Sequence, residues 1–370
     1  VSVDRLLATF LDLVRIDSPT GREGAVAAYV ARALEEAGCE VRIDDTGEQT
    51  GSESGNVIAR LPGAAPGRVV ALAAHMDCVQ PCEGVEPLVA DGVVRPQGDT
   101  VLGADDKAGL AAIIEVVRRL RESGVPHAEV RVLATVSEET GLKGAKALRA
   151  EDCQADVCLV LDADGPVGGI VTAAPTHYTF SAVFTGRAAH AGVQPEKGVS
   201  AIEMAAAAVC HMTLGRLDEQ TTANVGTIAG GSATNIVAPS CTVTGECRSL
   251  DAERVEQVRA EMEAAMTEAA ARAGGTVEVA WRLEYRGFRV SDDSDALALV
   301  EEACRRVGVE PRRFSTGGGS DGNVIAAHGV PTLVLSCGMT DVHSSDESIE
   351  VAELGRLADL IEAVVRGAAG

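Results

Sequence analysis

The sequence predicts an α/β protein: a mostly parallel sheet flanked by helices, with an α+β segment of ferredoxin-like order inserted in it. Three observations predict this. Apolar runs bounded by turn residues alternate with helical patterns as far as Thr172. From about Tyr178 to Leu283 the order becomes strand, helix, two strands, helix, strand, which suits an open-faced sandwich with two helices on one sheet. Alternation of helix and apolar run then resumes to the end, so the middle segment reads as an insertion.

Val3, Leu6, Leu7, Phe10, Leu11 and Val14 recur at helical spacing. Thr20 and Glu23 have the spacing of a capping box for a second helix that Gly38 ends. Strand-like runs follow at Val57 to Leu61 and Val69 to Ala74, then a helix pattern from Ala108 to Leu120 and a run from Val130 to Val136. A short helix near Lys143 precedes the run Val157 to Leu161. In the inserted segment, helices are expected at Ser200 to Met212 and Asp251 to Ala273, with strands near Tyr178, Val225, Val243 and Val277. The returning segment predicts a helix from Ala296 to Val307, an apolar run from Pro331 to Ser336 and a last helix from Ala352 to Val365.

A chain of 370 residues that is 46% hydrophobic can bury a large core and favours two domains. With 32 basic against 55 acidic residues, a net charge of −23 and 2% aromatics, it repels phosphate backbones and offers no stacking surface. Nucleic acid and membrane are therefore not expected partners. The ten cysteines show no CxxC pair, in a chain too large to need disulfide staples. No basic segment leads into an apolar block, and no run approaches the roughly 20 apolar residues of a membrane span. These features predict a cytoplasmic enzyme.

The chemistry gathers where apolar runs end. His75 and Asp77 follow one strand, Asp105 and Asp106 occupy the turn before a helix, Glu138 and Glu139 close another strand, and Asp162 a fourth. His343 follows the run ending near Ser336. Ligands of open α/β sheets collect at the carboxyl ends of strands. So many carboxylates at one sheet edge repel unless cations neutralise them, and imidazole mixed with carboxylate suits zinc, cobalt or manganese. Adjacent Glu138 and Glu139 cannot point the same way from an extended backbone, so one can bind metal while the other faces water. Two ions about 3.5 to 4 Å apart would activate a bridging water and polarise a carbonyl.

With AHMD, GADDKAG, SEETG, LDADG and a late DVHSSDE in this order, the sequence resembles the M20 family of metallopeptidases, and within it the tripeptidase-T-like branch. The resemblance implies two divalent metal ions per chain, zinc first. His75, Asp105 and Asp162 would hold one, and Asp105, Glu139 and His343 the other, with Asp105 bridging. It implies Glu138 as general base and Asp77 as the partner of His75. Residues 1–174 and 286–370 would form a zinc-peptidase-like catalytic domain, and 175–285 a lid through which the chain forms a homodimer.

In that lid the resemblance offers His190 as a carbonyl-stabilising residue that reaches a neighbouring subunit's site, and Asn235 and Arg248 as substrate contacts. It sets Gly318 and Ser320, in GGGSDGN, near the substrate's free carboxylate. Asp162 leans toward aminopeptidase chemistry, since family desuccinylases and glutamate carboxypeptidases tend to have Glu there. Gly317 stands where tripeptidases of the family carry Arg, which loosens the tie to tripeptides; Arg286 and Arg289 are other cations in the returning chain.

The expected function is metal-dependent removal of the N-terminal residue from a short peptide. The alternatives are an N-acyl amino acid deacylase using the same site and a catalytically silent metal-binding protein. The last would lack a ligand or the base, and all six of these residues are present. The glycines of 317–322 formally match a dinucleotide fingerprint, but so late in the chain and after so short a strand a tight loop is the expected structure. His127, His177, His211 and His328 have no acidic companions nearby in sequence and read as structural.

Overall fold

Strands buried on both faces make up the centre of the larger sheet, as near-continuous apolar runs require. A computed structural model describes residues 2–369. In it Val70–His75 and Thr332–Ser336 are buried at every position. The sheet runs in the order Glu40–Ile43, Val57–Leu61, Val130–Thr135, Val70–His75, Val157–Ala163, Thr332–Ser336, Gly169–Ala174 and Phe288–Arg289, and Arg312–Ser315 also pairs with Gly169–Ala174. The four strands from Val130–Thr135 to Thr332–Ser336 are parallel. Their carboxyl ends therefore share one edge. That edge carries His75, the turn to Glu138, Asp162 and the approach to His343.

The chain divides into two units. One comprises the chain up to Thr172, Arg289–Ser315 and the chain from Ser320 onward; the other comprises Ala173–Phe288 with Thr316–Gly319. In the first, Leu6, Phe10 and Leu13 of the helix Ser2–Val14 are fully buried at helical spacing. Fully buried Glu115 sits between Arg5 at 2.8 Å and Arg119 at 2.9 Å, and Arg119 reaches Asp359 at 2.7 Å. Glu115 and Arg119 together thus tie three helices, Ser2–Val14, Ala104–Ser123 and Val351–Ala368.

Two features of this unit differ from the sequence reading. The helix Gly24–Glu36 starts after Glu23 with no side-chain cap bond. Thr20 and Glu23 bond instead to loops far along the chain: the Thr20 hydroxyl donates to the Asp77 carboxylate, and the Glu23 carboxylate accepts from Ser137 N. A further small sheet, ordered Met339–Thr340, Ser348–Glu350, Val93–Gln97 and Glu86–Ala90, has no counterpart in the predicted elements. Its strands are short and mostly exposed, so they lack an apolar run. It frames the loop that bears His343.

The second unit is antiparallel, ordered Gly215–Arg216, Thr221–Gly230, Ser240–Ser249, Thr176–Thr185 and Thr276–Tyr285. In Thr176–Thr185, Phe180, Ala182 and Phe184 are buried while Ser181, Val183 and Thr185 are exposed, the alternation of a sheet covered on one face. The covering helices are Ala201–His211, capped by the Ser200 side chain, and Ala252–Ala273, capped by Asp251. Among the described residues no helix is long and apolar enough to cross a membrane. All ten cysteines are free thiols.

Candidate metal centre

The candidate ligands sit on separate segments, and buried carboxylates and backbone turns hold several of these in place. His75 ends a wholly buried strand, and its Nδ1 lies 2.9 Å from the backbone oxygen of Asp77, which fixes the ring with Nε2 pointing outward. The Asp77 carboxylate is farther from that nitrogen, at 3.6 Å. It accepts instead from Glu138 N at 2.9 Å, Glu139 N at 3.2 Å and Thr20 Oγ1 at 2.6 Å. Asp77 therefore orients His75 through its main chain and the turn of Glu138 and Glu139 through its side chain.

Asp105 lies in the first turn of the helix Ala104–Ser123, where Asp105 and Asp106 depart from helical backbone angles. The preceding Gly103 has φ +74°, and a Cβ there would come within 3.0 Å of Cys78 Sγ. Buried Glu347 accepts from Gly103 N at 2.8 Å and Asp105 N at 3.0 Å. The loop between Met339–Thr340 and Ser348–Glu350 supplies both this tether and His343. Asp341 at φ +53° and His343 at φ +62° turn that loop through the left-handed region, uncommon for residues other than glycine.

The resulting geometry centres on Asp105. Its Oδ1 is 3.0 Å from His75 Nε2 and its Oδ2 is 3.1 Å from His343 Nε2. Asp162 Oδ1 is 3.5 Å from His75 Nε2, and Glu139 Oε1 is 3.1 Å from His343 Nε2. That last contact lacks hydrogen-bond alignment, and Glu139 Oε1 is a buried oxygen with no hydrogen-bond partner. Ligand atoms of His75, Asp105 and Glu139 lie within 4.8 Å of one another, as do those of His75, Asp106 and Asp162. Asp106 is better read as an anchor, since its two oxygens accept from His75 N and Gly109 N at 3.2 Å.

Electrostatics follow from crowding acids around two imidazoles. Burial, with the Asp162 charge, holds the Glu138 carboxyl well above its usual range. Burial and the Asp105 charge push Asp162 up to about 7. Burial would raise Asp105 too, but His343 and His75 outweigh it and hold that carboxyl below its usual range. Burial opposes protonation of His75, yet Asp105 and Asp162 carry its imidazole well above the usual value. Contacts with Asp105 and Glu139 raise His343 to about 10. A donor set with an orphaned buried oxygen and imidazoles facing both edges of one carboxylate fits divalent cations.

The remaining candidates are spread wider. Ser320 Oγ accepts from Gly322 N at 3.2 Å in the capping box of the helix Asp321–Ala327, and Gly318 N donates to Thr316 Oγ1 at 3.1 Å. His190 and Asn235 are exposed and adjacent, with Ala191 N donating to Asn235 O at 3.0 Å. Arg248 sits at the far end of that sheet: Thr185 pairs with Ser240, whereas His177 pairs with Arg248. Its guanidinium bonds Glu246 at 2.8 and 3.1 Å and reaches Gly317 O at 3.4 Å. His177 has an acidic partner after all, since Glu246 lies 2.9 Å from its Nε2.

Sequence reasoning missed Glu347 and Asp321, although both stood inside quoted motifs. Asp321 is buried with Oδ1 unpartnered, accepts from Thr135 Oγ1, and is raised to about 6 by burial. Position after strand ends picked out the candidate ligands, but nothing in the pattern marked carboxylates that bond a backbone N–H, as Glu347 does, or a hydroxyl, as Asp321 does.

Parallel strands thus deliver imidazole and carboxylate to one edge, around an aspartate that faces two imidazoles, an arrangement suited to divalent cations. The chain belongs to peptidase family M20/M25/M40, which matches residues 71–367. It is 42% identical over 369 residues to the uncharacterized protein YqjE of Bacillus subtilis, covering 100% of both chains. Among solved structures it is similar to aminopeptidase PepT from Bacillus cereus, with a TM-score of 0.94, 41% identity and coverage of 100% and 99%. It is also similar to a tripeptidase from Staphylococcus aureus, with a TM-score of 0.95, 38% identity and coverage of 99% and 98%. The tripeptidase-like branch expected from the motifs is thus borne out, and so is the fold class.

Proposed function

We propose that the chain is a two-metal aminopeptidase acting on short peptides. The observation that carries the reading is the Asp105 carboxylate, each of whose oxygens faces an imidazole from a different loop, at 3.0 and 3.1 Å. His75 and Asp162 would hold one ion with Asp105, and Glu139 and His343 the other. The donor mixture favours zinc, with cobalt or manganese as substitutes. Such ions would supply Lewis acidity that acidifies water and polarises the scissile carbonyl.

The chain's own residues do the rest. Glu138 takes a proton from the attacking water as its oxygen adds to the carbonyl carbon. It returns that proton to the amine nitrogen as the C–N bond breaks. A carboxyl whose proton affinity burial has raised suits both halves of this exchange. Asp77 holds Glu138 in place through its backbone N–H. The aminopeptidase and tripeptidase named among the solved relatives support a peptide with a free amino end.

His190, Asn235 and Arg248 are the proposed substrate contacts of the inserted unit, which we read as the lid, and Gly318 and Ser320 those of the glycine-rich loop. His190 lies beyond the Ser240 end of the lid sheet, and Arg248 is eight residues of strand, about 27 Å, from Ser240. Two such residues serving one short peptide from a single chain is hard to arrange, which supports a homodimer in which His190 serves its partner's site. Free, mostly buried thiols support a reducing, cytoplasmic compartment.

The test is Glu138→Ala with a substrate panel. The variant should keep two metal ions per chain by elemental analysis while turnover falls roughly 10³-fold, within the usual range for losing a general base. Unchanged turnover would remove Glu138 from the chemistry. Wild type should cleave tripeptides ahead of acetylated or succinylated amino acids; turnover of the acyl derivatives alone would establish a deacylase instead.

A further inference from the structure

Glu23 lies in none of the motif clusters and touches none of the candidate ligands' side chains, yet its carboxylate is fully buried. Its Oε1 accepts from Gly21 N at 3.0 Å, Ser137 N at 3.0 Å and Ser137 Oγ at 3.1 Å, and its Oε2 accepts from Ser52 Oγ. These four donors are neutral. A buried carboxylate is costly unless several donors satisfy it, and these four do so. It does not cap its own helix.

Two of the four bonds go to Ser137, the residue immediately before Glu138. Ser137 has φ +54°, in the left-handed region. That conformation is strained for a residue with a Cβ, so it persists only where surroundings hold it. Glu23 holds it twice, through N–H and hydroxyl. The next two residues are held from the other side, by Asp77 on Glu138 N and Glu139 N, and Thr20 in turn donates to Asp77. The segment from Thr20 to Glu23 thus secures both clamps on the turn that carries the base and a metal ligand.

We infer that Glu23 is a positioning residue for the reaction: it fixes Ser137 in the left-handed conformation and so aims Glu138 at the attacking water and Glu139 at its ion. It acts through the turn and touches no substrate. Removing it therefore lowers the rate of the bound complex and leaves substrate affinity nearly intact. This rests on the roles given above to Glu138 and Glu139.

The experiment compares wild type, Glu23→Ala, Glu23→Gln and Ser137→Ala as cobalt-substituted full-length protein, reading the visible cobalt absorption, kcat and KM on a tripeptide, and thermal unfolding. In Glu23→Ala, kcat falls roughly 10²-fold, the scale of a misplacement near 1 Å, with KM within about threefold of wild type. Its cobalt bands shift as Glu139 moves. Glu23→Gln keeps an acceptor oxygen toward Ser137 and recovers kcat to within about tenfold of wild type. Ser137→Ala removes only the hydroxyl bond, folds as wild type does, and loses kcat by roughly threefold with altered cobalt bands.

Wild-type cobalt bands and kcat in folded Glu23→Ala overturn the inference. Should that variant not fold, the same result in Ser137→Ala overturns it. Equal loss in the Ala and Gln variants, tracking the fraction unfolded, also overturns it by making Glu23 merely structural. A wild type that cleaves no peptide defeats the functional reading instead, and the cobalt comparison still decides whether Glu23 positions the turn.

Discussion

Asp162 and Glu246 are both carboxylates beside an imidazole, one in each unit, and their proton affinities move in opposite directions. Asp162 faces His75 at 3.5 Å among other acids, and burial with the Asp105 charge raises it to about 7. Glu246 has His177 at 2.9 Å and a guanidinium at 2.8 Å, and these hold it down at about 2. The buried Glu115 carboxylate likewise has guanidinium partners, Arg5 at 2.8 Å and Arg119 at 2.9 Å. The difference is compensation. Where the fold supplies a guanidinium the carboxylate is a fastening, and where several acids crowd around two imidazoles the cluster suits cations from outside.

The sharpest way to break this comparison is to neutralise the shared aspartate. In Asp105→Asn, metal content by elemental analysis should fall from two ions to one or fewer per chain. Turnover should drop about 10³-fold or more, the rate equivalent of about 4 kcal/mol of lost charge stabilisation. Retention of two ions with normal turnover would mean that Asp105 is a fastening like Glu246.

Most of this cluster was legible because each member follows an apolar run, and the carboxyl ends of parallel strands meet at one edge. His75, Asp162 and the turn to Glu138 need no more than strand ends and register. The supports were not legible in the same way. Thr20 and Glu23 share the spacing of a capping box, and local spacing cannot show that Asp77, far along the chain, accepts the Thr20 hydroxyl or that Ser137 donates to Glu23. His177 looked alone because its acid is 69 residues away, brought to a diagonal position by antiparallel register. Glu347 stood inside DVHSSDE, but its targets are backbone N–H groups, which leave no mark in side-chain patterns.

A second test asks whether the two regions respond separately to metal. Removing the ions with a chelator should lower Tm by roughly 5 °C or more, since ligand held at about 1,000 times its Kd contributes about 4 kcal/mol. Hydrogen exchange should speed up at 75–77, 103–107 and 137–139, whose backbone the ligands and their tethers hold. At 246–248 it should stay unchanged, because Glu246 has its cation within the fold. Equal acceleration at both places would erase the distinction drawn here.

The smallest expected effect lies in the compensated region. Glu246 has a folded-state pKa of about 2, below the ordinary carboxylate value of 4.5. A depressed pKa means that the folded state favours the charged form. The stability it contributes is therefore fully present above about pH 5 and is lost as pH falls toward 2. Glu246 is partly exposed, so after solvent screening the contribution is about 1 kcal/mol or less. Glu246→Gln should accordingly unfold more easily than wild type at neutral pH, with the gap narrowing between about pH 5 and 3 as measured by denaturant titration. The gap should also shrink in high salt, as expected for a screened ion pair. A gap that widens on acidification would mean that Glu246 is held uncharged in the fold. The two regions would then differ in degree rather than in kind.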